Sequence, residues 1–153
     1  MPSSHHLNSG PIFLSFNKLP FIPNATRVRM LEWKMRQDVL NYIARGSPPL
    51  QPELLKTYEP RDTTLVSQPA DLLPRIHKMD DDGHIIKVAR SLLIAQEVSQ
   101  PYADRDWLRI REDKEWLAAH YLLVDSVESG GPATWARQTG FSKAWDGIPK
   151  KSW

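Results

Sequence analysis

Cysteine is absent from all 153 residues, which excludes disulfides, thiolate metal sites and a cysteine nucleophile together. A chain without disulfides fits a reducing compartment, and a cytoplasmic location is the expectation. Glycine is sparse, at seven residues, and neither GxGxxG nor GxxxxGKS/T occurs. No standard phosphate loop therefore cradles a nucleotide within these residues. No apolar run approaches a membrane span, and the start MPSSHHLNSGPIFLSF lacks the basic and apolar regions of a signal peptide. Charge of one sign is lacking too. Twenty basic side chains are interleaved with eighteen acidic ones for a formal net charge of +2, which is no footprint for nucleic acid.

Strict alternation with β-branched enrichment is also missing, so a sheet is not expected. Helical spacing is abundant instead. RVRMLEWKMRQDVLNYIARG places Met30, Leu31, Met35, Val39, Leu40 and Ile43 on a helix, with Asn24 or Thr26 as cap and Gly46 as terminator. Residues 12–16 read as an apolar lead-in ending at a Pro-bounded turn. Six of the thirteen prolines fall between residues 48 and 74, which marks a loop-rich connection holding a short helix at PELLKTY and a broken one at ADLLPRIHK. Longer helices are expected from about Gly83 to Ser99 and from about Arg111 to Glu128, and a shorter one at ATWARQT. The reading is an all-α, irregular helical domain of five to six helices, with residues 1–153 as a single domain.

The stretch MDDDGHIIKVARSL carries the densest chemistry. Carboxylates at Asp80, Asp81 and Asp82 suit a helix start, where unpaired amides and the dipole favour negative charge. They do not alternate as a calcium loop requires. His84 lies at the margin of the apolar arc formed by Ile85, Val88, Ala89, Leu92 and Leu93. An imidazole there is either a structural hydrogen-bonder or an acid, base or ligand oriented by a neighbouring aspartate. His120 lies on the apolar face of Trp116, Leu117, Leu123, Val124 and Val127. It reads as a satisfied core histidine or as a group projecting into a ligand cavity. His5 and His6 are adjacent, so only one is expected to enter a shared site. With His77 and His84 they form no ligand spacing such as HExxH, and no metal is assigned. The six tryptophans are core anchors or the lining of an aromatic pocket.

Taken in order, HHLNSGPIFLSF, RVRMLEWKMRQDVLNYIARGSPPL, DDGHIIKVARSL, LLVDSVE and WARQTGFSKAWDGIP resemble the C-terminal portion of the questin oxidase-like family. Four or more strings in sequence are more specific than any one. The resemblance implies a fungal oxidoreductase of secondary metabolism: an NADPH-dependent monooxygenase that opens anthraquinone- or xanthone-like polyketides by Baeyer–Villiger-type oxygen insertion. It leaves flavin and metal unassigned. It marks Asp81, Asp82, Gly83 and His84 as one element, with Lys87 and Arg90 on the helix that follows, and His6 and Asn8 as an N-terminal element. The roles expected on that basis are acid/base chemistry at His84 with Asp81 or Asp82, and cofactor binding at Lys87 and Arg90. Substrate binding falls to His120, Trp116, His6 and Asn8. Family members are much longer, so a missing N-terminal half or partner chain is expected. The competing expectation is a truncated, non-catalytic helical protein that binds a partner subunit or hydrophobic ligand. It would show an exposed apolar face on the first or last long helix.

Overall fold

The computed structural model describes residues 2–61 and 64–128, with Trp135, Lys143 and Asp146. The expected helix at ATWARQT lies outside the described residues, Trp135 apart. Five α-helices are present among them: α1 (Pro2–Asn17), α2 (Asn24–Ile43), α3 (Leu73–Ile76), α4 (His84–Ser99) and α5 (Asp113–Val127). Short 3-10 turns cover Pro52–Thr57, Pro69–Leu72 and Gln100–Tyr102. The all-α expectation holds. None of the described helices is long and apolar enough to cross a membrane. The described helices fall into two compact units, one holding α1 and α2, the other holding α3 to α5.

In the first unit, the apolar lead-in is in fact part of a 16-residue helix with Pro11 inside it. Pro11 donates no N–H to the carbonyl four residues back, so the helix tolerates one missing bond. Helix α2 starts without a side-chain cap, so neither Asn24 nor Thr26 takes the expected role. Asn24 instead accepts from Arg27, whose guanidinium also donates to the Leu19 carbonyl at 2.6 Å and ties down the α1–α2 turn. The C-terminus ends as the sequence suggests. Gly46 has φ +79°, its N–H donates to the Ile43 carbonyl, and the Ser47 N–H donates to the Tyr42 carbonyl. These paired bonds form a Schellman closure. A Cβ at Gly46 would meet no atom within 4 Å, so only the left-handed backbone opposes a side chain. Gly46→Ala is expected to destabilise the α2 end by about 1–2 kcal/mol, read as a lower urea midpoint for helical ellipticity. An unchanged midpoint would show that the closure is dispensable.

The second unit holds the core. Leu72, Ile76, Ile85, Val88, Ala89, Trp116, Tyr121, Val124 and Val127 are all buried there, largely between α4 and α5. The apolar arc of α4 is turned slightly from the expected one: Ser91 is buried and Leu93 is exposed. Helix α5 opens with a capping box in which Glu112 and Glu115 cover each other's backbone amides. Among the described residues, neither α1 nor α2 contributes to the buried set, so the apolar positions that recur along α2 are not part of a core.

Candidate functional site

A cavity of about 930 Å³ lies between α1 and α2, within the size range of small-molecule sites. Helix α1 supplies His5, His6, Ser9 and Phe13, which recur at helical spacing and so share one face. Both histidines line the cavity, contrary to the expectation that only one would. Helix α2 supplies Met30, Trp33, Lys34, Gln37, Asp38 and Asn41 among others. Phe13 also meets Phe16 edge-on, with ring centroids 5.9 Å apart.

The polar side of the cavity is organised around Asp38. One carboxylate oxygen is hydrogen-bonded to His6 Nδ1, and the other accepts from the Lys34 ammonium one helical turn earlier. A carboxylate on Nδ1 fixes the tautomer and leaves Nε2 as the nitrogen available for chemistry. Arg36 pairs with Glu32 one turn earlier and stacks over Trp33, 5.8 Å from its ring centroid. That cation–π contact steadies the indole whose ring lines the cavity. An oriented imidazole, a carboxylate and an ammonium beside aromatic surface can bind a phenol or carbonyl and move a proton. Asn8 is not among the residues that line the cavity.

A second His–Asp pair stands in the other unit. His84 Nδ1 is hydrogen-bonded to Asp82, while the Ile85 amide donates to Asp81 Oδ2 at 2.8 Å. Asp81 therefore performs the helix-start role expected of the acidic run, and Asp82 is the carboxylate that orients His84. Gly83 makes this possible with φ +88°, a backbone that folds the carboxylates back over the first turn of α4. Asp81, Asp82 and His84 place one donor atom each within 4.8 Å of one another. Those donors are imidazole and carboxylate, types shared by metal sites and by acid/base pairs. Lys87 and Arg90 lie exposed on the same helix, three residues apart, where two cations can meet one anionic group.

His120 and Trp116 are buried in α5, at 2% and 7% exposure. Neither is among the residues lining the α1–α2 cavity or a smaller one of about 360 Å³ beside Lys56 and Arg109. His120 is not the satisfied core histidine that its pattern suggests: its Nε2 is buried with no hydrogen-bond partner. Burial pushes its pKa down to about 4, so the ring is neutral at physiological pH.

A residue that the sequence reading passed over organises this unit. Asp125 is fully buried and accepts from the Tyr58 hydroxyl at 2.7 Å, the Arg61 amide at 3.1 Å and the Arg75 guanidinium at 2.5 Å. Arg75 also forms a forked pair with Glu128. Burial pushes the Asp125 carboxyl upward, but those three donors outweigh it and hold it below the usual range. The available signal was its position one turn after Tyr121, on the apolar side of α5.

The sequence model of the questin oxidase-like family matches residues 3–92. An oxidoreductase of Aspergillus parasiticus, Oxidoreductase AflY, is 33% identical over 135 residues, covering 88% of this chain and 27% of the relative. A Baeyer-Villiger oxidase of Pestalotiopsis microspora is 30% identical over 135 residues, covering 86% of the chain and 29% of the relative. Questin oxidase of Aspergillus fumigatus is 28% identical over 134 residues, covering 85% and 29%. The chain thus spans less than a third of each of these relatives. No solved structure matches it.

Proposed function

Because this chain belongs to the questin oxidase-like family, we propose that it contributes to Baeyer–Villiger-type oxygenation of an aromatic polyketide, an anthraquinone- or xanthone-like ketone. In that reaction ketone, O₂, NADPH and a proton give ester, NADP⁺ and water. One oxygen atom enters between the carbonyl carbon and its ring neighbour, and the other leaves as water. The names of the relatives support the oxygenation. The observation that carries the substrate class is the α1–α2 cavity, where Phe13, Met30 and Trp33 offer a flat ring apolar and π surface. In this reading His6, hydrogen-bonded to Asp38 at the cavity wall, binds a phenolic oxygen.

His84, oriented by Asp82, takes the acid/base role in this reading, and the exposed Lys87 and Arg90 offer cationic charge to the phosphates of NADPH. NADPH supplies the reducing equivalents when bound. These side chains orient and hold it, and His84 holds or releases the proton.

The test is hydroxyanthraquinone turnover with NADPH oxidation followed in parallel with Trp33 fluorescence quenching. His84→Ala is expected to lower kcat by about 10²–10⁴-fold, and His6→Ala to raise KM at least tenfold and weaken quenching. Unchanged turnover in His84→Ala removes its role, and unchanged quenching in His6→Ala removes the cavity. A second reading, a non-catalytic binder of a partner subunit or hydrophobic ligand, is favoured by the exposed apolar residues of α2. It predicts quenching without NADPH consumption.

A further inference from the structure

Helix α2 has two apolar sides, and only one of them faces the cavity. At 100° per residue, the cavity-lining Met30, Trp33, Gln37 and Asn41 lie on one side of the helix. Val28, Leu31, Met35 and Val39 lie on the opposite side, within a stripe about 80° wide. All four are more than half exposed, and Ile43 extends the stripe with 59% exposure. Their spacing of three, four and four residues is that of a helix–helix seam. A helix apolar on both sides belongs between two layers of protein, yet among the described residues α2 has a layer on one side only.

We propose that this outer stripe is an interface, and that its occupant is the part of a questin oxidase-like polypeptide outside the segment matched here. Two observations favour that occupant over a second copy of this chain. Helix α2 lies wholly within the stretch that defines the family match, so its counterpart in the relatives belongs to a far longer polypeptide. The match takes up only 27–30% of the first three relatives, which leaves ample chain to cover the seam. In addition, among the described residues α1 and α2 contribute nothing to the buried core, and a helix pair that buries so little calls for further protein against it. The interface does not depend on the catalytic reading, because it is read by binding and not by turnover.

The experiment mixes this chain with the larger flanking piece of the Aspergillus parasiticus relative, expressed without its matched segment, and measures complex formation by sedimentation. A one-to-one complex is expected. Leu31→Asp with Val39→Asp is expected to weaken it at least 100-fold while helical ellipticity is retained, since neither side chain is buried. Leu50→Asp, exposed but outside α2, is expected to leave it unchanged. Failure to form a complex overturns the proposal, as does a complex indifferent to the double variant. So does self-association of this chain lost in that variant, which would make a second copy the occupant. Strong hydrogen-exchange protection of the outer α2 stripe in the isolated monomer would also overturn it.

Discussion

Replacing Asp125 with alanine is expected to destabilise the second unit by about 3 kcal/mol, in the range for removing one partner of a buried pair. The carboxylate is fully buried and is the shared acceptor for the Tyr58 hydroxyl, the Arg61 amide and the Arg75 guanidinium. Alanine strands these donors, and each stranded polar group costs on the order of 1–3 kcal/mol. The loss stays near the lower end because Arg75 keeps its fork with Glu128. Urea unfolding followed by Trp116 fluorescence measures it, and a midpoint shift worth under about 1 kcal/mol would sink the account. The pH dependence follows from the sign of the shift. The folded carboxyl titrates below its ordinary value of 3.8. Its stabilisation is therefore complete above that value and is lost as pH falls through the lower folded one. Asp125→Asn should lack this acid-side component.

His120 works in the opposite chemical sense but on the same side of neutrality. Burial lowers its pKa from 6.5 to about 4. Between those values the unfolded chain takes up a proton that the folded ring refuses, so stability falls as pH falls. The loss accumulates to roughly 3 kcal/mol by pH 4, at about 1.4 kcal/mol per pH unit. Above pH 6.5 both states are neutral at this position and the contribution is absent. His120→Leu removes the titrating group and the unpartnered Nε2 while keeping an apolar side chain. Its stability curve should be flatter than wild type by about that amount between pH 6.5 and pH 4. Parallel curves for the two proteins would show that the ring is protonated in place.

The sequence made some elements legible because local signals and tertiary packing agree there. Helix α4 was expected from Gly83 to Ser99 and runs His84–Ser99, and α5 was expected over 111–128 and runs Asp113–Val127. In both, apolar periodicity coincides with burial. Helix α1 is not legible in the sequence because glycine and proline at positions 10 and 11 both disfavour a helix interior, whereas the chain absorbs one lost amide bond and continues. On α2 the periodicity was visible but its meaning was not. Leu31, Met35, Val39, Leu40 and Ile43 are exposed, because a pattern reports that a face is apolar, not which chain covers it. The His84–Asp82 pair was legible from adjacency. The His6–Asp38 pair was not, since thirty-two residues separate its members and only the α1–α2 pairing brings them together.

A longer reach is made at Asp125, which joins residues 67, 64 and 50 positions earlier in the chain. During synthesis, Tyr58, Arg61 and Arg75 emerge well before their common acceptor. The hydrogen bonds inside α2 and α4 close over four residues, whereas those that Tyr58, Arg61 and Arg75 make to Asp125 wait for α5. Contacts closed across so much chain are slow to nucleate. One carboxylate thus sets an order for three links: none of them can close before Asp125 itself has been made.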